Sequence, residues 1–108
     1  MSAASTDVRF IYVTIKDAAE ARTLAKTLLS ERLIACANIL PQIESVYEWQ
    51  GKVHCDPESV LILKTTVSKV AATIKRVEEL HPYETPCALT LAIESGAEKY
   101  LGWLHQQL

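Results

Sequence analysis

A chain of 108 residues, 49% of them hydrophobic, is long enough for one folded domain and too short for two cores of comparable size. The 11 Lys and Arg residues are scattered among 13 Asp and Glu residues, giving a net charge of −2 and no basic run that would bind nucleic acid or a membrane surface. We therefore expect a single domain over residues 1–108, in which residues 1–7 form a flexible polar tail, with neither nucleic acid nor membrane as a partner.

Signals for export are missing from the sequence. The first apolar stretch is interrupted by Arg9, and no apolar run approaches the length of a membrane span. The cysteines, Cys36, Cys55 and Cys87, are odd in number, which argues against a disulfide framework. These features predict a cytoplasmic protein with free thiols.

The first two predicted elements are a strand and a helix. Residues 8–15 are rich in β-branched and aromatic side chains, and both faces of this strand are apolar. Asp17 is a suitable N-cap with Glu20 in the capping-box position, and an apolar face follows at helical spacing to about Leu33. A strand with two apolar faces needs cover on each side of its sheet.

A long hairpin is predicted next. Residues 35–49 are extended, with Pro41 indicating a bulge or an edge because proline cannot donate a ladder hydrogen bond. Beyond Pro41 the side chains alternate, so that Tyr47 and Trp49 share one face. Gln50 and Gly51 provide a turn, and residues 52–65 return as the third strand.

The last third of the chain predicts a helix, a strand and a terminal helix. Apolar residues recur at helical spacing from Val67 to Val77, and Pro82 ends that pattern. Residues 88–93 alternate as a fourth strand. Ser95 and Glu98 form a second capping box that would open the terminal helix.

The order β-α-β-β-α-β with an added C-terminal helix predicts an α+β, ferredoxin-like sandwich with a four-stranded antiparallel sheet. Both crossover helices should pack on the same face of the sheet. The opposite face would then be bare in a single chain, and we expect other copies of the chain to cover it.

Several runs of residues, in this order, resemble the CutA divalent-cation tolerance family along nearly the whole chain. They are ERLIACANI at residues 31–39, YEWQGK at 47–52, ILKTT at 62–66, HPYETP at 81–86 and YLGWL at 100–104. The resemblance implies a ferredoxin-like subunit, a tight homotrimer whose long hairpins reach neighbouring subunits, a cytoplasmic location and a link to divalent metals, copper in particular.

The resemblance also bears on a copper site. A copper site proposed in the family uses a cysteine in the first strand and two adjacent histidines, and the matching positions here are Val13, Leu80 and His81. Of these three residues, only His81 has a side chain that binds metal ions, and Cys36 and Cys87 are candidate second ligands. The alternative is a structural role for His81 at the end of a helix, where an imidazolium favours the helix dipole.

Further candidate residues lie in a cleft and at an interface. The resemblance places four polar side chains near a cleft between subunits: Glu58, Lys64, Tyr83 and Glu84. Tyr47 and Trp49 are predicted packing anchors of the trimer interface, because aromatic residues are enriched at interface cores. Near the hairpin turn, His54 and Cys55 are a further pair to test for metal binding.

Catalysis finds little support in the sequence. There is no nucleophile elbow, and three glycines, Gly51, Gly96 and Gly102, are too dispersed for a phosphate-binding loop. We therefore predict a protein that is not an enzyme. Two functions remain: a divalent-cation tolerance protein that binds copper or another divalent cation directly, and a trimeric signalling or small-molecule-binding module similar to the nitrogen-regulatory P-II proteins, without a direct metal role.

Overall fold

The computed structural model describes residues 6–108, so residues 1–5 of the predicted tail lie outside the described part of the chain. The elements follow the predicted order: β1 Val8–Ile15, α1 Ala18–Ser30, β2 Cys36–Trp49, β3 Lys52–Thr66, α2 Val70–Leu80, β4 Ala88–Ala92 and α3 Glu98–Gln106. A 3₁₀ turn, Val67–Lys69, leads directly into α2.

The four strands form one antiparallel sheet in the order β2-β3-β1-β4. Phe10 in β1 lies opposite Lys64 in β3 and opposite Leu91 in β4, which fixes the register across the centre of the sheet. The crossover through α1 skips one strand position, as the split βαβ arrangement requires. The predicted ferredoxin-like α+β fold is confirmed.

The main core lies between the sheet and the two crossover helices. Ile11, Val13 and Ile15 alternate along β1 and are fully buried, together with Leu61 and Leu63 of β3. The face of α1 that packs on them carries the residues predicted from helical spacing: Ala21, Leu24, Ala25 and Leu28. Burying a leucine or isoleucine side chain stabilises a fold by about 1.5–3 kcal/mol, so this layer is the principal source of stability.

Helix α1 begins as predicted and ends earlier than predicted. The Asp17 side chain accepts a hydrogen bond from the Glu20 amide at 2.9 Å, as an N-cap should. At the other end, Arg32 adopts a left-handed conformation with φ of 59°, and the Leu33 amide donates to the Leu28 carbonyl at 3.1 Å. This Schellman motif ends the helix at Ser30, so the prediction of a helix to about Leu33 was wrong.

The opposite face of the sheet is partly covered by α3. Leu104 is fully buried against Val8 and Ala35 in a second, smaller core. The expectation of a bare face was therefore wrong at this end of the sheet. The predicted capping box at Ser95 was also wrong, because the residue at the N-cap is Ala97 and no side chain caps the helix there.

An apolar part of that face, which we call the open sheet face, is formed by Tyr12, Leu40, Leu89 and Leu91. The register places Leu89 beside Tyr12 and Leu91 beside Phe10. Leu89 is 61% exposed and Leu91 is 50% exposed, which is unusual for two leucines that are neighbours on the same face of one strand. An apolar patch of this kind is typical of a surface that another protein surface covers.

The β2–β3 hairpin is long and ends in a tight turn. Gln50 and Gly51 both have positive φ, 51° and 79°, which is the conformation that favours glycine in two-residue hairpin turns. The pairing shifts register between Leu40 and Ile43, as expected from Pro41. Trp49, next to the turn, is 60% exposed.

Residues 6 and 7 are held to the fold, in contrast to the predicted tail over residues 1–7. The Thr6 hydroxyl donates to the Ile93 carbonyl. His105 in α3 donates from Nε2 to the Asp7 carboxylate at 2.6 Å and from Nδ1 to the Leu101 carbonyl at 2.7 Å. The bond to Leu101, followed by the bond to Asp7, raises the pKa of His105 above its usual value of 6.5.

This histidine predicts a pH-dependent stability. Because its pKa is raised on folding, the imidazolium stabilises the fold fully below the unfolded pKa of about 6.5, and this contribution is lost as pH rises through the folded pKa. The difference in unfolding free energy between the protein and His105→Gln should therefore be larger at about pH 5.5 than at about pH 8.5 in urea titrations. Asp7→Asn should reduce that pH dependence, and an equal difference at both pH values would contradict the role of His105.

Candidate functional site

A cleft of about 470 Å³ lies where β1 ends, beside the β2–β3 hairpin and the segment after α2. Tyr47 and Trp49 line one side of it, and Glu84, Thr85 and Cys87 line the other. Two further carboxylates, those of Asp56 and Glu58, also line the cleft. The cleft therefore combines aromatic and acidic side chains on the side of the sheet opposite α1 and α2.

Glu58 connects the two sides of the cleft. Its carboxylate accepts a hydrogen bond from the Ser45 hydroxyl at 2.6 Å and from the Tyr83 hydroxyl at 2.7 Å. Burial, followed by the bond to Glu58, raises the pKa of Tyr83 well above its usual value. Tyr83 is thus held as a neutral phenol that donates to a carboxylate, and it anchors the segment after α2 against β3.

Tyr47 is fixed in a similar way. Its hydroxyl donates to the Asp56 carboxylate, a bond that raises the pKa of Tyr47, and its ring stacks on His54 with a centroid distance of 5.3 Å. Because alternate residues of a strand share a face, Tyr47 and Trp49 point to the same side, as predicted. Tyr47 is therefore held in a fixed orientation at the cleft.

His81 is 7% exposed and is not among the residues that line the cleft. Its Nε2 lies 2.8 Å from the Thr14 carbonyl, and its Nδ1 lies 3.1 Å from the Tyr83 amide. Since a carbonyl can only accept and an amide N–H can only donate, these partners assign the proton to Nε2 and the lone pair to Nδ1. His81 thus joins the end of α2 to β1, and a metal ion could approach only Nδ1, in place of the Tyr83 amide.

The candidate second ligands lie in different places. Cys87 lines the cleft. Cys36 in β2 lies opposite Lys64 in β3, which in turn lies opposite Phe10 in β1. His81 contacts Thr14, which is four residues and therefore about 13 Å from Phe10 along β1, at about 3.3 Å per residue. All three cysteines are free thiols, and across residues 6–108 no three His, Cys, Asp or Glu side chains gather as a metal site.

The structure brings together three of the four residues expected near the cleft. Glu58, Tyr83 and Glu84 line it, but Lys64 lies about 20 Å from Glu58 along β3. Lys64 instead donates to the Tyr100 hydroxyl at 3.1 Å, with its Nζ 5.3 Å from the centre of the Phe10 ring. Within one chain, Lys64 and the cleft are separate.

Two other features of the site follow from strand alternation. Asp56 and Ser45 belong to the cleft network and were missed, although both share the face of Tyr47 and could have been assigned from the period of two. The same alternation places His54 and Cys55 on opposite faces of the hairpin. That adjacent pair therefore does not converge on one point.

These features define a small ferredoxin-like protein with a long hairpin and an open acidic cleft. The sequence profile described as CutA1 divalent ion tolerance protein matches residues 9–107. The chain therefore belongs to the CutA1 divalent ion tolerance family, which confirms the resemblance found in the sequence.

Curated relatives and solved structures agree with this assignment. The divalent-cation tolerance protein CutA of Thermus thermophilus is 43% identical over 96 residues, covering 89% of this chain and 93% of the relative. The chloroplastic protein CutA of Arabidopsis thaliana is 44% identical over 94 residues, covering 87% of this chain and 52% of the relative. The chloroplastic protein CutA 1 of Oryza sativa is likewise 44% identical, with 96% and 60% covered. The chain thus spans about half to three fifths of the length of these plant relatives.

Among solved structures, CutA from Synechococcus elongatus superposes with a TM-score of 0.92 at 31% identity, covering 97% of this chain and 94% of the other. CutA1 from Oryza sativa gives a TM-score of 0.91 at 41% identity, with 95% and 94% covered.

Within residues 6–108, no helix has the length and apolar character needed to cross a membrane.

Proposed function

We propose that this protein acts in the tolerance of divalent cations by binding a divalent cation at the cleft, copper in particular, in a binding role rather than a catalytic one. Membership of the CutA1 divalent ion tolerance family supports the process. The observation that carries the proposal is that the carboxylates of Asp56, Glu58 and Glu84 line one open cleft together with Cys87. His81 reaches this cleft only through its contact with the Tyr83 amide. Carboxylate, imidazole and thiolate groups are the ligands of divalent metals in proteins.

The ligands of a single chain are partly committed to the protein. Glu58 accepts two hydrogen bonds and Asp56 accepts one from Tyr47, so a cation would compete with these donors. An ion held by one or two groups stays largely hydrated. We therefore infer that binding is weak in an isolated chain and that a complete site takes ligands from a second copy.

The metal proposal predicts weak copper binding that His81→Ala removes. At Nδ1 the ion would replace the Tyr83 amide, a 3.1 Å hydrogen bond, and a second ligand would have to lie within about 2.0–2.3 Å of the metal. Calorimetric titration with copper and with zinc measures this, with His105→Ala as the control because that histidine is remote from the cleft. Tight, stoichiometric binding that survives His81→Ala would contradict His81 as the ligand.

We also propose that the protein is a homotrimer. Leu89 and Leu91 on the open sheet face are at least half exposed, and Trp49 is exposed near the hairpin turn. A second copy would cover this apolar surface. Light scattering should return a mass near three times the 12.0 kDa of one chain. A mass equal to one chain at micromolar concentration would refute the trimer.

A small-molecule-binding module similar to the P-II proteins is the second candidate. The observation in its favour is the 470 Å³ cleft with two aromatic side chains, Tyr47 and Trp49, on which a planar ring could stack. The lining carboxylates repel phosphate, so a nucleotide would need basic residues from another subunit. Titration with adenine nucleotides in the absence of metal tests it, and heat of binding abolished by Trp49→Ala would favour this role over the metal role.

A cytoplasmic location is also proposed, with the three free thiols in its favour, because cytoplasmic reductants keep cysteines reduced. Relatives are described as chloroplastic in Arabidopsis and rice, and one solved structure as periplasmic. Cell fractionation, together with mass spectrometry of the unreduced protein, distinguishes these locations. An intrachain disulfide in the native protein would argue against the cytoplasm.

A further inference from the structure

A second cavity, here called the groove, lies on the helix side of the sheet. It measures about 350 Å³ and runs along α1 between the end of β1 and the end of α2. Its apolar walls are Ile15, Leu24, Leu80 and Pro82. Because successive residues of a strand point to opposite faces, Ile15 lines the groove while Thr14 lines the cleft, and the two cavities are separate.

The polar atoms of the groove offer acceptors only. The Thr23 hydroxyl donates its hydrogen to the Ala19 carbonyl, and the Thr27 hydroxyl donates to the Thr23 carbonyl, both at 3.1 Å. These two side chains therefore present methyl groups and oxygen lone pairs to the groove. Glu20 is the single charged residue among those that line it, and no Lys, Arg or His lines it.

Glu20 contributes a carboxylate oxygen that has no hydrogen-bond donor. Within the described residues 6–108, its Oε2 is excluded from solvent and has no hydrogen-bond partner. Although the Glu20 amide is capped by Asp17, this carboxylate oxygen takes no part in a reciprocal capping bond. A buried carboxylate oxygen without a donor costs free energy, and the terminal torsion of a glutamate rotates readily enough to turn that oxygen toward a ligand.

We propose that the groove binds a small organic cation, namely a compact alkyl or aryl body carrying one protonated amine that donates to the Glu20 carboxylate. The apolar body packs on Leu24 and Leu80, and the ammonium supplies the donor that Oε2 lacks. A cavity of 350 Å³ lies in the range of small-molecule sites, about 300–1,000 Å³. Anions should not bind, since the lining offers them neither a positive charge nor a hydrogen-bond donor.

Three probes of the same shape test the charge selectivity: cyclohexylmethylamine, cyclohexylmethanol and cyclohexanecarboxylate. Amide chemical shifts in ¹⁵N-labelled protein report both the location and the affinity of binding. The amine should shift the amides of residues 15–28, Leu80 and His81. It should bind about tenfold more tightly than the alcohol, because a charged ammonium donates to a carboxylate more strongly than a neutral hydroxyl does. The carboxylate should not bind.

Two variants and a control complete the test. Glu20→Gln should lower the affinity for the amine about tenfold, to that of the alcohol, whereas Glu94→Gln, an exposed glutamate outside the groove, should leave it unchanged. Ala19→Leu, at an exposed position of the first helical turn, should fill the groove and block both amine and alcohol. Equal binding of the carboxylate, shifts centred on residues 83–87, or unchanged amine affinity in Glu20→Gln or Ala19→Leu would overturn the proposal.

Discussion

Leu28→Ala is expected to lower the free energy of unfolding by about 3 kcal/mol, within the range measured for leucine to alanine in well-packed cores. Leu28 is fully buried and sits in the layer between α1 and the sheet, in one cluster with Ile11 and Leu63. The cost combines the lost transfer of the side chain from water with the cavity left behind. Urea titration at a fixed protein concentration measures it, because subunit association adds to the apparent stability.

The neighbouring residue provides a matched control. Leu29 is 40% exposed on the same helix, so Leu29→Ala makes the same chemical change without opening a core cavity. Leu29→Ala should lower the free energy of unfolding by less than about 1 kcal/mol. Equal losses in the two variants would show that the helix face has been assigned wrongly.

The sheet and its core could be predicted because their signals are local. The alternation in residues 8–15 assigns Ile11, Val13 and Ile15 to one face, and all are buried on that face. Pro41 likewise marks the point where the β2–β3 pairing shifts. A period of two and a proline without an N–H act within a few residues, so a single sequence contains them.

The predictions that were wrong concern features set by contacts that cannot be inferred from a single sequence. The end of α1 is set by Arg32 in a left-handed conformation, where the usual glycine signal is absent. Helix α3 covers Val8 and Ala35, residues from two distant parts of the chain, so its position over the sheet follows from tertiary packing alone. The local match of Ser95 and Glu98 to a capping box does not correspond to the observed helix start, where Ala97 is the N-cap.

The candidate site divides in the same way. Glu58, Tyr83 and Glu84 meet at the cleft, although Glu58 and Tyr83 are joined only through a side-chain hydrogen bond. Alternation places Lys64 on the same face of β3 as Glu58, but two residues on one face can still lie far apart along the strand. The contact of His81 with the Thr14 carbonyl could not be predicted from the sequence, because Thr14 lies far from His81 in the chain.

Trp49→Ala is expected to weaken assembly of the proposed trimer by about 2 kcal/mol or more, the cost of losing an interface hot spot. Trp49 is 60% exposed near the tip of the hairpin, opposite Lys52, so a second copy would supply further contacts. A loss of 2 kcal/mol raises the concentration at which a subunit dissociates by about thirtyfold. Light scattering over a dilution series measures this shift.

Val46→Ala tests whether the effect belongs to one face of the hairpin. Val46 is also exposed, at 64%, but alternation places it on the side opposite Trp49 and Tyr47. If the face that carries the aromatic residues is the one that meets the neighbouring subunit, Val46→Ala should leave the dissociation concentration within about threefold of the original, a change of about 0.7 kcal/mol. An equal shift in both variants would mean that the whole hairpin is enclosed by the assembly, and no shift in either would remove Trp49 as an anchor.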